Sequence, residues 1–342
     1  MDSADTTPSD PFDTSSFEAG RNRLASLAYR LLGSAADAED AVQDAFLHWQ
    51  AADRQRIVVP EAWLTKVVTN LCLDRLRSAQ ARRERAAGDW LPEPLLQGDP
   101  MLGPADTFEQ RESVSLAVLT LMERLSPVER AVYVLREAFS YSHAEIAEIL
   151  DITESASQQH LHRARGRVTT PGRRRSGVGD GVGVGVGVGV GVGEVDRAAA
   201  RRIVEEFLAA ATSGRTDQLV ALLTDDATAV SDGAGGLATR LLRYDTPERI
   251  AALARAGFKS TPAKHRLVGG RPAMHFALVN GSPALLAVLP DRDGDRVVGS
   301  VTFDLADGRI ATVRGIAAPA RLARLTEAWR QREEDTPLMA EW

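Results

Sequence analysis

In 342 residues there is a single cysteine, Cys72, so no internal disulfide can brace the chain and apolar burial has to hold each domain together. Its helical, apolar neighbourhood reads as that of a packed thiol. A membrane helix is excluded too. The uncharged tract 181–193 falls short of the roughly 20 apolar residues a span needs, and its alternate glycines each cost a helix roughly 1 kcal/mol. The opening MDSADTTPSDPFD lacks the basic and apolar regions of a secretory signal, so the cytoplasm is the expected compartment, with no membrane partner. His143, His160 and His162 lack cysteine or carboxylate partners at metal-ligand spacing, and no glycine-lysine phosphate loop is present; no metal or cofactor is expected.

What the chain does have is charge, unevenly placed. A net charge of −6 argues against nucleic acid only if it is uniform, yet residues 1–20 carry five acids and no base, while residues 154–175 carry six arginines against Glu154. Hydrophobic residues at 44% and charged residues at 26% are ordinary for folded protein. The length suits two or three domains, because one core rarely grows past about 250–300 residues.

Helical periodicity comes first. Phe17, Leu24, Leu27, Ala28 and Leu31 recur at helical spacing up to Gly33; Ala38, Ala41, Val42, Ala45, Phe46 and Trp49 mark a second helix. Pro60 starts a third, with Leu64, Val67, Val68 and Leu71 inward. The prolines of DWLPEPLLQGDP, residues 89–100, predict an extended connector. Ser126-Pro127-Val128-Glu129 and Ser142-His143-Ala144-Glu145 are capping boxes, the second opening a short helix with Ile146, Ile149 and Leu150 buried. Thr153 then caps a helix to about Val168, completing a helix-turn-helix.

Residues 177–193 alternate glycine and valine and read as a flexible linker. Helices at about 203–208 and 219–223, and a third capped by Thr246-Pro247-Glu248, precede strand-like runs at 264–269, 273–279, 284–289, 297–305 and 310–316. Asn280-Gly281, Asp293-Gly294 and Asp307-Gly308 are the turn signals among them. Helices followed by antiparallel strands predict an α+β domain.

Three faces carry candidate chemistry. Asp37, Asp40 and Asp44 share one side of the second helix with Gln43, which taken alone is a solvated face. In the third helix Lys66, Asn70, Asp74 and Arg77 recur at four, four and three residues, joined by Arg75, Arg82, Arg83 and Arg85; the bases can neutralise phosphates, and Asn or Arg can bond a base edge. With Ser157, Leu161, Ala164 and Val168 inward, the last helix of the helix-turn-helix shows Ser155, Gln158, Gln159, His162 and Arg163 outward. Arg165, Arg167 and the run 173–175 extend a phosphate-binding stripe.

The segment DAEDAVQDAFLHWQ resembles the region of bacterial RNA polymerase sigma factors that docks on the polymerase. PEAWLTKVVTNLCLDRLRSAQARRE resembles the sigma segment that melts and reads the minus-ten promoter element. SPVERAVYVLREAFSYSHAEIAEIL with LHRARGRV resembles the one that reads the minus-thirty-five element. The order is that of the extracytoplasmic-function sigma factors. The resemblance implies promoter DNA and core RNA polymerase, through its β′ clamp helices and β flap, as partners. Asp37, Asp40, Gln43, Asp44, Phe46 and Trp49 would meet polymerase, with charge for steering and the aromatics for burial. Lys66, Asn70, Arg75, Arg77, Arg82 and Arg83 would serve the minus-ten element; Ser155, Gln158, Gln159, His162, Arg163 and Arg165 the minus-thirty-five element. Two departures from the pattern are Asp151, where relatives carry glycine in the turn, and Gln158 and His160, where bases are common.

The connector WLPEPL resembles a hallmark of the subgroup with a fused SnoaL-like (NTF2-like) domain, whose members lack the usual anti-sigma partner and are controlled by their own tail. The stretch 230–236 looks like that subgroup's Asp-Gly-rich motif without the lysine expected near Gly236, and Ala318-Pro319-Ala320-Arg321-Leu322 is a degenerate form of its other signature. Implied regulatory residues are Trp90, Leu91, Pro92, Glu93, Pro94, Asp232, Gly233, Gly235, Pro319, Arg321 and Leu322. The expected organisation is an acidic tail at 1–14, a sigma-2 helical bundle at 15–88, a linker at 89–110 and a sigma-4 helix-turn-helix at 111–170. A flexible linker at 171–195, the α+β SnoaL-like cone at 196–325 and a tail at 326–342 follow.

Relatives of such cones include cyclases and isomerases, for which Asp232, His265, His275 and Asp304 are the candidate bases. No spacing fixes a pair, so no enzyme is expected, whereas a small-molecule ligand in the cone is an option. The alternative from another class is a ligand-sensing helix-turn-helix regulator that needs no polymerase.

Overall fold

The computed structural model describes residues 14–83, 91–103, 113–168, 197–233, 241–292, 294–333 and 335–342. Helices α1 (Thr14–Leu32), α2 (Ala35–Ala51) and α3 (Pro60–Arg83) form the first module. Gly33, at φ 67°, ends α1 in a left-handed turn, and Ser34 caps α2 by accepting the Asp37 N–H. Leu27, Tyr29, Leu31, Val42, Trp49, Val68 and Cys72 are buried between the helices. Burial pushes the Cys72 thiol up to about 12, which makes it the inert packed thiol expected.

Helices α4 (Leu116–Met122), α5 (Pro127–Glu137), α6 (His143–Leu150) and α7 (Glu154–Val168) form the second module. Both capping boxes close, from Ser126 to Glu129 and from Ser142 to Glu145, and Thr153 caps α7 by accepting the Ala156 N–H at 3.1 Å.

The third unit starts with α8 (Arg197–Ser213) and α9 (Thr216–Leu222), followed by β1 (Leu223–Ser231), β2 (Leu242–Tyr244), α10 (Pro247–Phe258) and α11 (Pro262–Val268). Strands β3 (Ala273–Val279), β4 (Ser282–Leu289), β5 (Arg296–Ala306) and β6 (Arg309–Ile316) and helix α12 (Pro319–Arg330) complete it. The sheet order is β2-β1-β6-β5-β4-β3. Phe207 of α8 and Ile250 of α10 pack on one face with Phe276 and Phe303. The other face, bearing Ala277, Ala284 and Leu286, packs on Leu322, Leu325 and Trp329 of α12.

Several expectations change. Residues 264–269 are not a strand: Thr261 accepts the Lys264 N–H and Pro262 sits at the first helical position, a start signal that turns the segment into α11. Strands β1 and β2 had no counterpart in the sequence reading, and β1 runs parallel to β6, so the sheet is mixed rather than purely antiparallel. The boundary at 325 cuts α12, and Leu338, Met339 and Trp342 pack back on the third unit's core, so residues 326–342 belong to that domain. Leu150 is only partly buried. The glycine-valine tract lies outside the described residues.

Candidate nucleic-acid interface

On α2, Asp37, Asp40 and Gln43 are exposed and Asp44 is half-buried, so the acidic face exists as anticipated. Its apolar part differs. Trp49 is only 1% exposed and packs against Trp63 with tilted rings at 5.6 Å, and Phe46 packs on Phe17 at 4.9 Å. Trp49 therefore supports the face from beneath instead of presenting its ring on the surface. The exposed apolar side chain is Leu47, at 53%, seven residues beyond Asp40 and hence on the same side of the helix. It was passed over because a single leucine carries no signal of its exposure.

On α3, Asn70, Asp74 and Arg77 are exposed, Arg75 and Lys66 half-buried. Each described cation here has an acidic partner: Arg75 pairs with Asp44 at 2.5 Å, Arg77 with Asp74 at 3.0 Å and Lys66 with Asp151 at 2.6 Å. The side chains of Arg82 and Arg83 lie outside the described residues. The Arg75–Asp44 pair joins the acidic face of α2 to the basic face of α3.

On α7 the inward set Ser157, Leu161, Ala164 and Val168 is buried, and Ser155, Gln158, Gln159, His162, Arg163 and Arg165 are exposed. Helix α5 aims the arginines. Glu129 accepts from Arg163 at 3.0 Å and Arg167 at 2.5 Å, and Glu137 accepts from Arg165 at 2.7 Å. Burial alone would raise the Glu129 carboxyl, but bonds from Ser126 and Arg163 and the Arg167 charge bring it below the usual carboxylate range. Burial, then the Arg163 charge, depresses the His160 imidazole below its ordinary value. Asp151 takes the left-handed conformation, φ 54° and ψ 46°, that a glycine would take freely.

The connector is a structural joint. Leu91, Pro92, Pro94 and Leu95 are buried, and Glu93 accepts the Ser34 hydroxyl at 2.9 Å and the Ala35 N–H at 2.8 Å. It thereby adds a carboxylate to the N-terminus of α2, where the helix dipole favours one. Burial pushes this carboxyl up while those bonds oppose the rise. Trp90 lies outside the described residues.

Beyond Glu93 the connector pairs with the edge of β3: Gln97 N–H donates to the Leu278 carbonyl and Asn280 N–H to that of Leu95, both at 2.9 Å. The Asn280 side chain accepts the Leu95 N–H and donates to the Tyr29 hydroxyl and the Val114 carbonyl, each at 2.8 Å. One residue of the third unit thus touches both helical modules and the connector. Burial raises the Tyr29 phenol above its ordinary range, keeping it a neutral donor to the Glu93 carbonyl at 2.7 Å. Sequence reasoning saw Asn280 only as a turn residue.

The two tail signatures meet physically. The Asp232 carboxylate accepts the N–H groups of Ala317 at 3.0 Å and Ala318 at 2.9 Å, just ahead of Pro319 and α12. Gly233, at φ 71°, turns the chain away; Gly235 lies outside the described residues. Leu322 is buried on the sheet-facing side of α12, and Arg321 is half-exposed. The helix so fixed carries Arg324, unnoticed in the sequence, which grips buried Asp99 with two bonds at 2.7 and 3.0 Å and also bonds Glu39 of α2. Asp99 and Glu39 hold the Arg324 guanidinium above its ordinary value even though burial pushes it down.

The four candidate bases do not converge. His275 packs edge-to-face on Trp329 at 4.9 Å, Asp304 pairs with Arg314 at 2.5 Å, Asp232 serves α12, and His265 bonds Ser260 at 3.0 Å. No described helix is long and apolar enough to cross a membrane.

Residues 17–82 match the Sigma-70 region 2 family and residues 115–168 the Sigma-70, region 4 family. The ECF RNA polymerase sigma factor SigJ of Mycobacterium tuberculosis H37Rv is 35% identical over 310 residues, 90% of this chain and 92% of that protein. The probable ECF RNA polymerase sigma factor SigI of Mycobacterium tuberculosis CDC 1551 is 36% identical over 161 residues, 45% of this chain and 53% of that protein. The crystal structure of Mycobacterium tuberculosis SigJ superposes with a TM-score of 0.63 at 30% identity, covering 91% of this chain and 98% of that one. Two sigma-70 modules in this order, with similarity that runs on through the α+β unit, make the chain a member of the extracytoplasmic-function RNA polymerase sigma factors, a transcription factor rather than an enzyme.

Proposed function

We propose that this protein binds core RNA polymerase and directs promoter-specific initiation in the cytoplasm, and that its SnoaL-like unit sets that activity by holding the helical modules and connector in one arrangement. The observation that carries the second part is Asn280, whose buried side chain bonds α1, the connector and the segment ahead of α4 together. The apolar core agrees. Leu91 and Leu95 of the connector, Val114 and Leu116 of the second module and Ala277, Val279 and Leu286 of the sheet belong to one continuous cluster. A tail that supplies part of that core takes over the role of a separate anti-sigma partner, so none is expected.

Asp37, Asp40, Gln43, Asp44 and Leu47 are the proposed polymerase contacts; Lys66, Asn70, Arg75 and Arg77 serve the minus-ten element and the outer face of α7 the minus-thirty-five element. Runoff transcription with core polymerase tests the reading. Wild-type protein starts at a specific promoter, whereas reversing Asp40 and Asp44 to lysine lowers holoenzyme affinity at least about tenfold, the scale of losing complementary interface charge. A chain that binds promoter DNA but never joins core polymerase would be a stand-alone regulator. For the tail, Asn280 and Arg324 are better targets than truncation after Arg175, which would strip the cover from Leu91 and Leu95.

A further inference from the structure

The turn of the helix-turn-helix rests on the basic helix of the first module. Lys66 Nζ donates to the Glu148 carbonyl at 2.8 Å, in the last turn of α6, and to Asp151 Oδ1 at 2.6 Å. Alongside, Arg23 of α1 donates to the Tyr141 hydroxyl at 2.6 Å and to Thr65 Oγ1 at 3.3 Å, and its guanidinium lies over the Phe139 and Tyr141 rings. The seam therefore joins α1 and α3 to the loop before α6 and the turn after it.

Asp151 is unusual for its place. It sits at φ 54°, where glycine costs nothing and an aspartate costs strain, and it puts an anion into a motif that approaches phosphates. Both penalties acquire a reason from its partner. A lysine on the minus-ten helix meets a carboxylate where a promoter complex would give it a phosphate.

We propose that Asp151 is an internal stand-in for a DNA phosphate, which occupies Lys66 and closes the second module onto the first until promoter DNA competes for the same ammonium. The inference rests on the sigma-factor reading above. By their names the minus-ten and minus-thirty-five elements lie roughly 25 base pairs apart, more than two helical turns of about 34–36 Å each, so a chain that reads both has to hold its two modules well apart. Closure and promoter reading are then alternatives, and the Lys66–Asp151 pair is one contact that distinguishes them. Both groups are partly exposed, at 39% and 75%, which suits a pair that must release readily.

The test uses the full-length chain and a labelled promoter duplex. Asp151→Gly relieves the backbone and removes the charge, and is expected to tighten DNA binding about two- to five-fold, the reach of one exposed ion pair. Asp151→Asn keeps the tolerance for the left-handed turn and must give the same gain; a gain with glycine alone would trace to backbone strain and overturn the proposal. In a Lys66→Gln background both gains should vanish. Equal gains in either background mean that Asp151 merely repels DNA, which also overturns it. Without DNA, fluorescence transfer between dyes on exposed Gln50→Cys and Glu154→Cys should fall in Asp151→Gly, and unchanged transfer counts against closure. Holoenzyme formation by the wild-type chain is scored separately, so failure of the sigma reading and failure of the latch are told apart.

Discussion

Removing the Asn280 side chain should uncouple the third unit from the two DNA-reading modules. The residue is 1% exposed, and its side chain makes three hydrogen bonds at 2.8 Å, to the Leu95 N–H, the Tyr29 hydroxyl and the Val114 carbonyl. Its backbone stands at φ 49°, so alanine would strain the hairpin as well as delete the bonds, whereas Asn280→Gly keeps the turn and isolates the side chain. In the glycine variant the Tyr29 hydroxyl keeps its bond to the Glu93 carbonyl. The Leu95 N–H and the Val114 carbonyl lose their partners. Two buried groups left unsatisfied at about 1–3 kcal/mol each, eased by water entering the vacated volume, predict a loss of about 2–4 kcal/mol. Denaturant unfolding followed by tryptophan emission measures that loss, and limited proteolysis within residues 91–103 reports whether the connector has come free. Asn280→Asp is the companion variant. It keeps an acceptor for Leu95 but sets a carboxylate against the Val114 carbonyl, so its defect should be largest at neutral pH and shrink in acid as the buried carboxyl protonates. If Asn280→Gly loses less than about 0.5 kcal/mol, the scale of an ordinary surface substitution, and the connector resists protease as before, then Asn280 does not join the modules.

Three further outcomes follow from the same contacts. Asp232→Ala strips the carboxylate from the Ala317 and Ala318 N–H groups and should cost about 1–2 kcal/mol, read as faster hydrogen exchange in the first turn of α12. Arg324→Met leaves buried Asp99 without its guanidinium and should destabilise by about 1–3 kcal/mol, with the deficit reduced by restoring a cation as Arg324→Lys. Because the Glu129 carboxyl is held below its ordinary value, its pairing with Arg163 and Arg167 stabilises the second module at neutral pH and is lost as pH falls through the usual carboxylate range toward the folded value. Glu129→Gln should flatten that acid limb of the unfolding curve; an unaltered limb would refute the assignment.

Local signals were legible wherever one residue's own chemistry decides the backbone. The Ser126 and Ser142 capping boxes, Pro60 at the start of α3, the Asn280-Gly281 turn and the inward set of α7 all stand as read. Errors arose where two start signals competed or where a strand owes its existence to a distant partner. Thr261-Pro262 outweighed the strand-like run after it, and β1 exists because β6, more than eighty residues on, supplies its ladder. Likewise Trp49 looked like a docking aromatic, since period alone cannot say which side of a helix a neighbouring helix will cover.

By itself the sequence determined the family, the two helical readers, their order and the α+β character of the tail, because these depend on caps, periodicity and motifs confined to short windows. Only the tertiary structure decided what the motifs do for each other. Glu93 completes the cap of α2, Asp232 holds the start of α12, Arg324 reaches Asp99, Asn280 joins three segments and Asp151 finds Lys66. Each contact closes a loop of many tens of residues, and hydrogen bonds and ion pairs reach only about 3 Å, so which groups meet follows from packing rather than from spacing along the chain.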